Sequence, residues 1–130
     1  MFSNLIVAVS ALVVADPSNV AVEAAAGEWV ALVDQQKWAD SWSEAGALFR
    51  SQITSVQWAA AVQPVRTPLG VVHSRKLQKV TPTKSLPGAP DGDYRIVEFR
   101  TAFANKADAF ETVILAREAS GWAVNGYFVR

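Results

Sequence analysis

The sequence lacks cysteine altogether and has a single histidine, His73, among its 130 residues. Without cysteine there is no disulfide, no thiolate nucleophile and no cysteine-based metal site. Twelve basic residues balance twelve acidic ones, so the formal net charge is zero, and no basic run exceeds Arg75-Lys76. A chain without a basic patch lacks the electrostatic footprint that binds a phosphate backbone. We therefore expect neither a nucleic acid partner nor a metal site.

Two motifs that would point to a cofactor or to covalent catalysis are also missing. The sequence has no Gly-x-Ser-x-Gly nucleophile elbow. Gly88 and Gly92 lie among prolines ahead of a strand and open no helix, so they do not form a phosphate-binding loop. We expect no cofactor.

The longest apolar run is too short to span a bilayer. Leu5 to Ala15 is apolar apart from Ser10, which suits the hydrophobic region of a signal peptide. No Lys or Arg precedes Lys37, so the usual positive charge rests on the terminal amine alone. We interpret residues 1–15 as the signal peptide of a periplasmic or secreted protein, and expect no stable membrane span. The alternative is a cytoplasmic chain in which this segment begins the first helix.

Residues 16–130 have the length and composition of one α+β domain. Hydrophobic residues make up 51% of the sequence and charged residues 18%, which favours a folded core. Helical spacing of apolar residues predicts one helix to about Gln36, a second over residues 37–47 and a third over residues 55–65. The third begins at a capping box, Thr54-Ser55-Val56-Gln57.

Four strands follow, and the last three form a meander. Period-two alternation and short turn-forming gaps predict strands at residues 71–80, 93–103, 109–118 and 122–130. We expect three N-terminal helices to pack on the concave face of this curled four-stranded antiparallel sheet. Alternation assigns these meander residues to its inner face: Val97, Phe99, Thr101, Phe103, Glu111, Val113, Leu115, Arg117, Trp122, Val124, Gly126 and Phe128.

Three polar side chains share the phase of the core residues, namely Glu111, Arg75 and His73. An isolated buried charge is costly, so a carboxylate and a guanidinium in one cavity must pair, find other partners or reach water. Glu111 is therefore a candidate base or ligand anchor beside Arg75. It is alternatively half of a structural ion pair, or an exposed group at a strand end. His73 is a candidate acid or base, but it has no titratable companion at a recognisable spacing.

Several other residues have two interpretations. Trp38 and Trp42, four apart, are candidates for an aromatic ligand slot, with core packing as the alternative. Arg75 is a candidate ligand-binding residue, and Arg75 or Tyr94 is a candidate oxyanion stabiliser, although the strand position of Tyr94 is out of phase with the core. Arg66 is interpreted as a cap on carbonyl groups at a helix end. The outer sheet face mixes apolar and polar residues, which indicates either a homodimer through that face or an ordinary solvated sheet.

Several motifs together resemble a known bacterial family. After an Ala-rich helix come Trp38-Ala39-Asp40-Ser41-Trp42, Gln57-Trp58, Arg66-Thr67-Pro68-Leu69-Gly70, Ser74-Arg75, Leu86-Pro87-Gly88-Ala89-Pro90-Asp91-Gly92 and Gly126-Tyr127-Phe128-Val129-Arg130. From about Ala24 to Arg130 the chain resembles the bacterial domain of unknown function 4019. The resemblance implies a small, commonly exported protein with a nuclear transport factor 2-like, or cystatin-like, cone-shaped fold. It carries over no catalytic residue.

These observations favour a non-catalytic exported module. It would bind a small apolar or amphipathic ligand in its cone or a protein partner across its sheet, because a cavity with few polar groups lacks a complete catalytic set. The alternative is a small acid–base enzyme of the isomerase or dehydratase type, with Glu111 or His73 as the base acting on an apolar substrate. A purely structural interaction protein would have no cavity.

Overall fold

The computed structural model describes residues 17–130, so the signal peptide expected at residues 1–15 lies outside it. Four helices precede four strands: α1 (Pro17–Asp34), α2 (Trp38–Ser43), α3 (Ala47–Gln52), α4 (Ser55–Arg66), β1 (Val72–Thr83), β2 (Tyr94–Phe103), β3 (Lys106–Glu118) and β4 (Gly121–Val129). The prediction of an α+β domain with four strands is confirmed. Between residues 17 and 130, no helix has the length and apolar character needed to cross a membrane.

The prediction of three helices is wrong, because the chain breaks after Ser43 and starts the short helix α3 at Ala47. Gly46 is the N-cap of α3, and its N–H donates to the Val124 carbonyl at 2.7 Å. A side chain at Gly46 would collide with Asn125 and Glu118. This close approach ties the α2–α3 connection to β4 and prevents one continuous helix.

The two long helices form where the sequence predicts them. α1 buries one face through Val22, Ala26 and Trp29, among others. α4 begins at the predicted capping box, in which Thr54 accepts from the Gln57 N–H and the Gln57 side chain accepts from the Thr54 N–H. This reciprocal pair satisfies two of the helix donors that otherwise lack partners.

The strands form one antiparallel sheet in the order β1-β2-β3-β4. The predicted inner residues of β2 are all buried, and so are Glu111, Val113 and Leu115 of β3. Alternation therefore predicts the central strands correctly. The two outer strands, β1 and β4, depart from strict alternation at bulges. Each bulge inserts one unpaired residue, so the residues after it exchange the inner and outer faces of the sheet.

The bulge in β4 lies at Asn125, since Leu115 pairs with Val124 whereas Ile114 pairs with Gly126. It turns Tyr127 into the core, where only 9% of its surface is exposed, and turns Phe128 outward, where 59% is exposed. The assignment of Phe128 to the inner face is therefore wrong. A similar bulge in β1 lies at His73, between Val72 and Ser74.

Aromatic side chains fill the space between the helices and β4, and they are held by Ser41. The indole N–H of Trp29 donates to the Ser41 carbonyl at 2.8 Å, and that of Trp58 donates to the Ser41 hydroxyl at 2.9 Å. The hydroxyl in turn donates to the Trp38 carbonyl at 2.7 Å. Tyr127 packs with its ring centroid 5.6 Å from that of Trp29. Ser41 therefore fixes the positions of two core tryptophans.

Ser41→Ala should lower the free energy of unfolding by about 1–3 kcal/mol, because the buried Trp58 N–H loses its acceptor. Urea denaturation followed by tryptophan fluorescence measures this change. Ser43→Ala is the matched control, since its exposed hydroxyl bonds only the nearby Asp40 carbonyl, and it should change stability by less than about 0.5 kcal/mol. Equal effects of the two substitutions would contradict the role given to Ser41.

Candidate functional site

Six polar side chains meet beneath the helices on the inner face of the sheet. Each strand supplies one of them, and the C-terminal ends of α1 and α4 supply the other two. We call this group the polar cluster: Asp34, Arg66, Arg75, Thr101, Glu111 and Tyr127. With two carboxylates and two guanidinium groups, its formal charge is zero.

Glu111 lies at the centre of the polar cluster and is fully buried. Its Oε1 accepts from Arg75 Nε at 2.7 Å and from the Thr101 hydroxyl at 2.5 Å. Its Oε2 accepts from Arg75 Nη2 at 3.2 Å and from the Tyr127 hydroxyl. Four donors thus occupy the four lone-pair positions of the carboxylate. Arg75 binds it in a bidentate manner, which is the strongest geometry for such a pair.

Asp34 joins the two arginines at the rim of the polar cluster. It accepts from Arg66 Nη2 at 2.7 Å and from the two terminal nitrogens of Arg75 at 2.8 and 3.0 Å. A carboxylate at a helix C-terminus is disfavoured by the helix dipole, so these cations compensate for its position. Burial alone would raise the pKa of Asp34, but the bonds and charges of Arg75 and Arg66 outweigh it and hold the pKa below 3.8.

Arg75 and Tyr127 keep their ordinary protonation states. Burial would lower the pKa of Arg75, but its hydrogen bonds to Asp34 and Glu111 raise it, so the guanidinium stays charged. Burial and the negative charge of Glu111 raise the pKa of Tyr127, so its hydroxyl stays protonated and donates to Glu111. Arg66 Nη1 also donates to the Tyr127 oxygen at 3.3 Å.

The structure places the other predicted site residues outside the polar cluster. His73 lies at the β1 bulge and is exposed. Trp42 packs against the core and donates to the Ile53 carbonyl at 2.7 Å. Trp38 also packs against the core and lines a pocket of about 110 Å³ beside Asp34. Tyr94 is buried on the other side of the sheet, where its hydroxyl donates to the Pro90 carbonyl.

Three members of the polar cluster were missed or misassigned by sequence reasoning. Tyr127 was placed on the wrong face because the Asn125 bulge leaves no clear trace in the alternation. Arg66 was interpreted as a helix cap, whereas it pairs with Asp34 and lies over the Phe103 ring at 4.9 Å. Asp34 was not among the candidate site residues. One available signal was that Asp34 and Arg66 both fall at the ends of amphipathic helices.

Apolar grooves lie on the flank of the molecule, next to the polar cluster. The α4–β4 groove, of about 260 Å³, is lined by Trp58, Ala61, Val62, Val65, Tyr127, Phe128 and Val129. A neighbouring groove of about 280 Å³ shares four of these residues and extends to Phe49. Among the described residues, none that lines either groove is charged. The Tyr127 side chain separates this apolar surface from Glu111.

The described residues contain no group of three or more His, Asp or Glu side chains placed to hold a metal ion. A family model described as a protein of unknown function, DUF4019, matches residues 25–127. The chain belongs to the DUF4019 family. No curated protein matches it. The match covers β1 to β3, β4 as far as Tyr127 and all six members of the polar cluster, so the sheet and the cluster belong to the DUF4019 domain itself.

Stability of the DUF4019 domain should depend on pH through Asp34. Because its folded pKa lies below 3.8, Asp34 stabilises the fold above about pH 5, and this contribution disappears as the pH falls through the folded pKa. Asp34→Asn should lower the free energy of unfolding by roughly 1–3 kcal/mol at pH 7. The difference between the two proteins in urea midpoint should shrink as the pH falls below about 4. A difference that stays constant down to pH 2 would contradict this prediction.

Glu111→Gln should destabilise the domain by about 3–5 kcal/mol, because it leaves the partly buried Arg75 without its bidentate carboxylate. Chemical denaturation at pH 7 measures the change. Glu98→Gln is the matched control on the opposite face of β2, where no ion pair of Glu98 occurs within residues 17–130. An unchanged midpoint for Glu111→Gln would show that the polar cluster is not structural.

Proposed function

We propose that this DUF4019 domain is a non-catalytic binding module that takes a small apolar or amphipathic ligand in the α4–β4 groove. The observation that carries the proposal is the contrast between two neighbouring regions. The groove is apolar and open, with Phe128 exposed at its edge. The charged groups of the polar cluster are bonded to one another, and the small pocket of about 110 Å³ beside Trp38 reaches only two of them, Asp34 and Arg66.

The bonding of Glu111 is the main argument against catalysis. A general base must have a lone pair within reach of the substrate proton. Both oxygens of Glu111 are engaged, and no part of this residue is exposed. Its use as a base would require at least one of these bonds to break in a buried, low-dielectric environment. The groove, in contrast, needs no rearrangement to accept an apolar group.

An acid–base enzyme of the isomerase or dehydratase type is a second candidate, favoured by the contact between Glu111 and Tyr127. The tyrosine ring lines the apolar groove, while its hydroxyl reaches the carboxylate. A ligand that displaced Tyr127 would therefore meet Glu111. An isomerase or dehydratase activity abolished by Glu111→Gln and kept by Glu98→Gln would favour the enzyme over the module. His73, exposed at its bulge, lies outside the polar cluster and is the weaker candidate.

Three wider aspects of the function remain our proposals. The helices and curled sheet are consistent with a nuclear transport factor 2-like, cystatin-like cone. The outer sheet face carries apolar side chains that are at least partly exposed, namely Ile96, Ile114 and Phe128. Such a face would suit a homodimer or another protein partner. The apolar segment before Asp16 supports export to the periplasm or the medium, with a cytoplasmic location as the alternative.

Ala61→Phe should weaken the binding of an apolar probe by at least about tenfold, because Ala61 lines both grooves and a phenyl ring there would fill them. Fluorescence titration with Nile red measures the affinity. Ala60→Phe is the matched control, since Ala60 is exposed on the same helix but lines neither groove. If wild type and both variants bind the dye equally, or if none binds it, the proposed groove is not a ligand site.

A further inference from the structure

The two edges of the sheet are protected to different degrees. Open strand edges invite pairing with other chains, and proteins guard them with Lys, Pro and bulges. The edge strand β1 has all three, in Lys76, Lys79, Pro82 and its two bulges. The last part of β4, Gly126-Tyr127-Phe128-Val129, has neither a charge nor a proline. The open end of β4 is therefore the less protected of the two edges.

The backbone groups on the free side of β4 follow from the hydrogen-bond pattern. Phe110 and Arg130 exchange two backbone bonds, at 2.8 and 3.0 Å. Since antiparallel pairs alternate, Phe128 also bonds to β3, whereas the N–H and C=O groups of Tyr127 and Val129 point away from it. Further back along the strand, Gly46 already occupies the Val124 carbonyl. The open stretch thus begins after the Asn125 bulge and lies along the α4–β4 groove.

The surroundings of this stretch indicate the chemistry of its occupant. On the inner side, Val62 and Val65 of α4 form an uncharged wall. On the outer side, the guanidinium of Arg130 lies 5.0 Å and that of Arg100 lies 5.8 Å from the centre of the Phe110 ring. Arg100 pairs with Asp108, whereas Arg130 is exposed and forms no ion pair within residues 17–130. An uncharged groove that ends at a cation without an ion pair among the described residues is complementary to an apolar segment with an acidic residue at one end.

We propose that an extended peptide segment of a partner protein adds to β4 as a fifth, antiparallel strand in the α4–β4 groove. This inference rests on the proposed binding role of that groove and names its partner. The peptide residues opposite Tyr127 and Val129 exchange backbone bonds with them and place apolar side chains against α4. An acidic residue opposite Arg130 forms a cross-strand pair on the outer face. From its N-terminus to its C-terminus, the peptide therefore has an acidic residue, an apolar residue, a β-branched or aromatic residue and a second apolar residue.

The test uses a fluorescein-labelled peptide of the sequence Gly-Ser-Glu-Val-Ile-Val-Ser-Gly and fluorescence anisotropy with the intact protein. We expect saturable binding. N-methylation of either valine should weaken it by at least about tenfold, because both valine N–H groups face β4 in the bonded register. N-methylation of the isoleucine, whose N–H points away from β4, should weaken it by less than about threefold. Equal losses at all three positions would overturn strand addition.

Two measurements on the protein side complete the test. Peptide binding should slow the hydrogen exchange of the Tyr127 and Val129 amides, and no change at these two amides would overturn the proposal. Val129→Pro removes one edge donor without removing a bond to β3, so it should weaken peptide binding at least about tenfold more than Val129→Ala, which shortens the same groove-lining side chain but keeps the N–H. Replacing the peptide Glu by Gln should weaken binding more at low salt than at high salt.

The outcomes separate this inference from the function on which it rests. If Nile red binds in an Ala61-dependent manner but the peptide does not bind, strand addition is wrong and the apolar ligand site stands. If neither binds, both proposals fail. If the peptide competes with Nile red and shows the expected N-methyl pattern, both are supported.

Discussion

The enclosed carboxylate of Glu111 is the constraint around which the sheet is arranged. A buried charge must be matched by donors, and its three partners, Arg75, Thr101 and Tyr127, come from three other strands. The full set therefore exists only when all four strands are in their native register. A slip by one residue would turn one donor to the opposite face and leave the charge uncompensated. The polar cluster thus favours one strand arrangement over its competitors, which a purely apolar core would do less strictly.

A single extra residue at Asn125 links the interior to the surface. The bulge brings Tyr127 into contact with Glu111, and the same reversal exposes Phe128 beside an uncharged groove. Without it, alternation would bury Phe128 and leave the tyrosine hydroxyl in solvent. The buried site and the apolar edge are therefore two results of one backbone irregularity. Any change that relaxed the bulge would alter both at once.

The sequence predicted the structure best where the conformation of a residue depends on the residues next to it in the chain. Period-two alternation located the four strands and the inner faces of β2 and β3, and the Thr54–Gln57 box located the start of α4. The predictions from sequence failed where the structure depends on contacts between residues that are far apart in the chain. Helix α3 lies beyond the predicted helix over residues 37–47, and it begins after Gly46, which packs on β4. Asn125 reverses the inner and outer faces of β4 through the bulge in its pairing with β3. The partnership of Asp34 with Arg66 joins residues 32 positions apart, and the only trace of it in the sequence is that both lie at the ends of amphipathic helices.

The meander order of the sheet has a consequence for the route by which the chain folds. Every strand pairs with its neighbour in sequence, so the hairpins close short loops and form rapidly. The polar cluster instead needs Asp34 together with Arg75 and Arg66, across the whole helical half of the chain. We expect the sheet to assemble early and the charged groups of the polar cluster to become buried late, when α1 and α4 dock. During that interval Glu111 remains hydrated, so the transition state avoids the desolvation of an unmatched ion.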